Sequence, residues 1–163
     1  MKLASAIAAV SLALAGALVP AASASAAGSP PLSCAYEVTL DYAPYLSAIM
    51  SDKHVIGSGK LKNCTGGLSA TFRIVGDGPG SCFGQQFTLY QEIYWSDGEY
   101  SLIELSSSIV LGIGVFTGQV IDYAYTGAHV DVTSLAGLGF LLSCLAPGGV
   151  HQVKFTGTEL FIG

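Results

Sequence analysis

The sequence reads as all-β: an antiparallel β-barrel, with a β-sandwich as the alternative, built from about eight strands and tied by two disulfides. Three observations lead there. Apolar and polar residues alternate with the strand period of two along run after run. Turns rich in Gly, Asp and Pro separate these runs at short intervals, and the chain holds 21 Gly. Glycines also recur inside the runs, where they relieve coiling at barrel corners, which favours the barrel over the sandwich.

Met1 to Ala26 has the layout of a secretory signal peptide. Lys2 supplies the positive start, and Leu3 to Val19 is an unbroken run of small and apolar residues ended by Pro20. Ala22-Ser23-Ala24 and Ala24-Ser25-Ala26 are small-x-small cleavage patterns, so the cut is expected after Ala26, with Ala24 and Ala27 as rivals. Residues 27–33 then form a flexible leader around Gly28-Ser29-Pro30-Pro31, and residues 34–163 form a single β domain. The exported chain of roughly 137 residues is long enough for one real core and too short for two.

In the first strand Tyr36, Val38, Leu40 and Tyr42 alternate with Glu37, Thr39 and Asp41. Pro44 interrupts it, and Pro44 to Asp52 reads as a loop or a short helical turn. Lys53 to Lys62 is the second strand, with Gly57 and Gly59 in its middle. Leu68, Ala70, Phe72 and Ile74 mark a third, and Gly76-Asp77-Gly78-Pro79-Gly80 reads as a loop.

Phe83 to Val110 is the stretch around which the rest is organised, a long hairpin turned at Ser96-Asp97-Gly98-Glu99. Asp-Gly between alternating runs is a strong hairpin signal because both turn residues accept φ > 0. Taken as a two-residue turn, it sets Trp95 opposite Tyr100, Ile93 opposite Leu102 and Gln91 opposite Glu104. Val115 to Tyr123 and His129 to Thr133 are the next strands. Ser134 to Ala146, apolar and broken by glycines, reads as buried strand or core, being too short to span a bilayer. Val150 to Ile162 is the last strand.

Composition limits function. Lys and Arg total 6 and Asp and Glu 11, for a net charge of −5. No basic cluster is visible along the chain, which argues against nucleic acid and against anionic membrane surfaces. The part after the signal peptide contains no segment suited to a transmembrane helix. Charged residues make up 10%, against about 25% in ordinary globular chains, so Ser, Thr, Gly, Gln and Tyr must face the water. Four cysteines in an exported chain imply two disulfides. Of three possible pairings we favour Cys34 with Cys64 and Cys82 with Cys144. Cys34 opens the first strand and Cys64 closes the next, which sets them side by side in an antiparallel pair.

Motifs that carry chemistry are sparse, and no catalytic residue, metal or cofactor is assigned. The hairpin register makes Gln91 and Glu104 a polar pair on a face shared with Trp95 and Tyr100. If that face lined the barrel, these four residues would form a small-ligand site, apolar with two convergent polar groups. His129, Asp131 and His151 offer a His/His/Asp set, a spacing common by chance on wet strands. Asp52 and His54 have no G-x-S-x-G partner.

Four stretches resemble a group of small exported proteins of high-GC Gram-positive bacteria, the actinobacteria. They are Gly57 to Cys64, Ser81 to Gly84, Tyr94 to Gly98 and Gly114 to Gly118. The resemblance implies an exported all-β domain and supplies no catalytic residues. The expectation is therefore a secreted, extracellular, non-enzymatic barrel acting as an interaction or structural module. The alternatives are a carrier of a small apolar ligand inside the barrel and a small secreted hydrolase or isomerase. The partner, an extracellular macromolecule or a small molecule, and the oligomeric state do not follow from the sequence.

Overall fold

A computed structural model describes residues 31–137 and 139–163. The expected signal peptide and residues 27–30 of the leader lie outside the described residues. Eight antiparallel strands follow one another around a closed barrel. They are β1 (Leu32–Leu46), β2 (Ser51–Lys62), β3 (Ala70–Gly80), β4 (Gly84–Trp95), β5 (Tyr100–Val110), β6 (Ile113–Tyr123), β7 (His129–Ala136) and β8 (Val150–Ile162). β8 closes the barrel by pairing with β1, from Leu32 opposite Phe161 to Leu46 opposite Val150. A short helix, α1 (Phe140–Leu145), sits between β7 and β8. The two disulfides are Cys34–Cys64 and Cys82–Cys144, as favoured from the sequence.

Alternation fixes which side chains go inside. In β1, Cys34, Tyr36, Val38, Leu40 and Tyr42 are buried, while Ala35 and Asp41 between them face out. Phe72, Phe116 and Phe155 reach the middle of the barrel and are almost fully buried, each worth roughly 1.5–3 kcal/mol of transfer free energy. Inward glycines make room for them. A Cβ at Gly59 would lie 2.2 Å from Phe72 Cζ, and one at Gly57 2.6 Å from Leu40 Cδ2. Pairing large residues with small ones in this way fills a small barrel without leaving a pore.

Five readings of the sequence need correction. The hairpin turn takes three residues rather than two: Gly98 N–H donates to Trp95 O (3.1 Å), Trp95 N–H to Glu99 O (2.9 Å), and Gly98 has φ 92°. This is a type I turn with a glycine bulge. It slips β5 by one residue, so Gln91 faces Ile103 and Glu104 faces Tyr90. A slip of one moves every side chain of the partner strand to the other face.

Residues 76–80 are strand, not loop. Gly76, Gly78 and Gly80 recur at the inward phase, and Leu89 and Phe87 of β4 occupy the space their missing side chains leave. β1 runs on through Pro44 to Leu46 after a register shift past Asp41. Residues 134–146 are strand only as far as Ala136, where β7 ends with Ser134 buried; beyond it, on α1, only Phe140 and Cys144 join the core. β1 also begins at Leu32, inside the expected leader.

Candidate functional site

The four residues expected to line a ligand pocket do not converge. Gln91 is fully buried, and Glu104 stands on the outer wall because of the register slip. Trp95 points inward. Its Nε1–H donates to Ser101 Oγ (2.9 Å), and its ring meets Phe161 and Tyr125 edge-on at 5.5 and 5.3 Å between centroids. Tyr100 is half-buried outside, between Tyr94 and Tyr123 at 5.3 and 4.7 Å. One strand parity therefore holds Gln91 and Trp95 and the other Glu104 and Tyr100.

Gln91 has a different partner across the barrel. Its Nε2 lies 3.2 and 3.3 Å from the two carboxyl oxygens of Glu159. Glu159 has no exposed surface and sits in the inward row of β8 with Val153, Phe155 and Phe161. Burial pushes its pKa up to about 8, against a smaller opposing effect of the Gln91 amide, so the carboxyl is mostly protonated at neutral pH. The Tyr36 hydroxyl is pushed well above its usual pKa, chiefly by burial and then by the Glu159 charge. Gln91 Oε1, Tyr36 Oη and Ser134 Oγ are buried without a protein hydrogen-bond partner among the described residues. The sequence held a signal for this group: Glu159 falls in phase with Phe155 and Phe161.

This polar group is sealed. Trp95, Phe161 and Tyr125 pack together near it, and bulky side chains fill the inward glycine rows. A strongly perturbed carboxyl in a cleft would suggest catalysis; Glu159 is instead fully buried, and a catalytic carboxyl must reach its substrate.

The histidines divide in a similar way. His129 Nε2 lies 3.2 Å from Asp131 Oδ1 on the outside of β7, but His151 is at the opposite end of the barrel, its ring 5.4 Å from that of Tyr45. The three do not form one site. His54 Nδ1 pairs with Asp77 Oδ1 at 2.8 Å on the exposed wall.

The outer ends of the barrel differ most. At one end the turns 47–50, 81–83 and 111–112 meet the longer connection 137–149. None of these segments contains Asp, Glu, Lys, Arg or His. They are knitted to one another: Cys82 N–H donates to Ser47 O (2.8 Å), Leu111 N–H to Phe83 O (3.2 Å) and Ala136 N–H to Gly112 O (2.7 Å). The Cys82–Cys144 bridge ties α1 over this end. Ile49, Met50, Phe83, Leu111, Leu142 and Leu145 are all exposed there, Ile49 to 75% and Leu142 to 78%. We call this the leucine end. The opposite end carries Tyr94, Tyr100, Tyr123 and Tyr125 with Asp97, Glu99 and Asp122, and is the tyrosine end.

No family model matches the chain, and neither a curated protein nor a solved structure matches it.

Proposed function

We propose that the protein is an exported, non-enzymatic interaction module that docks by its leucine end onto a lipid surface of low charge. One observation carries the reading: four neighbouring connections expose leucine, isoleucine, methionine and phenylalanine and hold no charged residue. Large exposed apolar patches mark contact surfaces. A protein partner would normally meet a polar rim with hydrogen bonds, whereas a lipid interface rewards apolar area and penalises charge.

The backbone fits the same reading. N–H and C=O groups entering a water-poor layer must be satisfied internally, and those quoted above bond from one loop to the next. Asp52 and His151 lie just beyond these turns, and Glu37, Lys60, Arg73, Glu92 and Lys154 stand further along the wall among Thr and Ser. The outer wall also exposes Val110, Ile113 and Leu135, neighbours on β5, β6 and β7 next to the leucine end, and they extend its apolar surface. The disulfides and the Met1 to Ala26 pattern support export. Carriage of a ligand inside the barrel finds no support in so filled an interior.

Flotation with phosphatidylcholine vesicles tests this. The wild type is expected to rise with the vesicles, while Leu142→Asp with Leu145→Asp stays at the bottom with an unchanged melting midpoint. Wild-type protein that stays at the bottom overturns the reading. So does concentration-dependent dimerisation in light scattering that the same double variant abolishes, because the end would then serve a second copy of the chain.

A further inference from the structure

A groove of about 680 Å³ runs over the outer wall of β1 to β4. Its floor is low because Thr39, Ser58 and Thr71 are short, and Glu37, Lys60, Arg73 and Tyr94 stand around it. It continues past Ser58 and Arg73 into a groove of about 420 Å³ beside Tyr90, and past Lys60 and Tyr94 into one of about 410 Å³ that reaches Ser96. The result is a trough along the strands. Tyr90 and Tyr94 are both exposed on the outer face of β4, and four residues of strand set them about 13 Å apart.

Charge is segregated onto this wall. Among the described residues, Lys53 is buried and every other Lys or Arg (Lys60, Lys62, Arg73 and Lys154) is on the outside of β8, β1, β2 or β3. Lys62 and Lys154 are committed to Glu37, at 3.0 and 2.9 Å. Chiefly through the Lys154 and then the Lys62 hydrogen bond, Glu37 is held ionised, with its pKa lowered to about 2. Lys60 and Arg73 form no salt bridge with another described residue, although the ladder sets them opposite Glu37 and Glu92.

We propose that this trough binds an acidic glycan, a linear saccharide bearing carboxylate or phosphate groups. Lys60 and Arg73 take its anionic groups, and Tyr90 and Tyr94 lie against its sugar rings. The hydroxyls of Thr39, Ser58 and Thr71 and the Glu37 carboxylate meet its hydroxyl groups. A polyphosphate such as nucleic acid is disfavoured, because Glu37, Asp41 and Glu92 line the same trough and would repel a dense row of charges. An extended peptide is disfavoured because the closed barrel offers no free strand edge for backbone pairing. The site lies on the side wall, is independent of the leucine end, and stands or falls separately from it.

Calorimetric titration with three hexasaccharides tests it: one of galacturonic acid, one of a phosphorylated mannose and one of neutral mannose. At least one acidic hexamer is expected to bind ~10-fold or more tightly than the neutral one. The preferred hexamer identifies carboxylate or phosphate as the anionic group, and inorganic phosphate alone at the same concentration does not displace it. Lys60→Gln with Arg73→Gln should weaken binding by ~10-fold or more, and Tyr94→Ala by several-fold. All three are exposed positions, so melting midpoints should not move. Acidic and neutral hexamers that bind alike, or not at all, overturn the proposal, as does a Lys60→Gln, Arg73→Gln variant that binds like wild type.

Discussion

At the tyrosine end, Cys34–Cys64 joins β1 to a residue two positions past the end of β2, beside strands that are already paired from Ala35 opposite Lys62 onward. At the leucine end, Cys82–Cys144 joins the β3–β4 turn to a six-residue helix that lies outside every ladder. The difference concerns what each bond restrains. A bridge beside a ladder reinforces contacts that exist without it, whereas a bridge beyond the ladder is the main restraint on its segment. The leucine end can therefore expose apolar side chains on a connection outside every ladder and still keep a fixed shape.

The largest expected effect comes from cutting each bridge in turn. Chain-entropy arguments give ~4 kcal/mol for closing the 62-residue separation of Cys82–Cys144 and ~3.5 kcal/mol for the 30-residue separation of Cys34–Cys64. The two denaturant midpoints should therefore fall by similar amounts, and local order becomes the discriminating measurement. Cys82→Ala with Cys144→Ala should open residues 137–149 to limited proteolysis under native conditions. Cys34→Ala with Cys64→Ala should leave that connection protected. Equal cleavage of both would show that the leucine end does not depend on its bridge.

The next effect separates the ends by pH. The turns and connection of the leucine end carry no ionisable side chain, whereas the barrel near the tyrosine end buries Glu159. Its unfolded pKa is 4.5 and its folded pKa about 8. Between these values the folded protein keeps a proton that the unfolded chain has released. The contribution is fully present below about 4.5 and is lost as pH rises through about 8. Stability should fall by ~1.4 kcal/mol per pH unit across that window, and by ~4 kcal/mol between pH 5 and pH 8 as an upper estimate. Urea melts at several pH values measure the slope, and Glu159→Gln should flatten it. A slope that survives in Glu159→Gln would show that another group is responsible.

These contrasts also show what the sequence reveals about the fold. The alternation of Tyr36, Val38, Leu40 and Tyr42 marks an inward row, and the position of Cys34 and Cys64 at strand ends points to their pairing. Register is harder to read. Ser96-Asp97-Gly98 suits a two-residue or a three-residue turn, and the choice decides whether Glu104 or Ile103 shares a face with Gln91. Glycine misleads at 76–80, where its local meaning is a loop; only the bulk of Leu89 and Phe87 on the neighbouring strand makes the chain continue straight. Glu159 is legible from its phase, but its burial is not, because an acidic residue in a strand more often faces water. The grouping of Lys60, Arg73 and Lys154 is invisible along the chain, since the barrel closure brings β8 beside β1.

The smallest effect tests whether the interior is equally tight at both ends. Near the tyrosine end, a Cβ at Gly59 would lie 2.2 Å from Phe72 Cζ and 2.4 Å from the backbone oxygen of Glu37. At the leucine end, the three atoms nearest to a Cβ at Gly80 all belong to side chains: Phe87 Cζ at 3.0 Å, Lys53 Cγ at 3.2 Å and Leu46 Cδ2 at 3.3 Å. Backbone in a ladder cannot yield, whereas side-chain ends move by a few tenths of an ångström. Gly59→Ala should therefore cost ~2–3 kcal/mol and Gly80→Ala less than ~1 kcal/mol. Adding Phe72→Leu to Gly59→Ala removes the ring tip but not the Glu37 oxygen. The double variant should thus be less destabilised than the sum of the single ones, yet remain below Phe72→Leu alone. Full additivity in melts of the four proteins would mean that the ring is not what fills the space at Gly59. Equal costs at Gly59 and Gly80 would mean that the barrel is packed alike from end to end, leaving the contrast between the ends to their surfaces and disulfides.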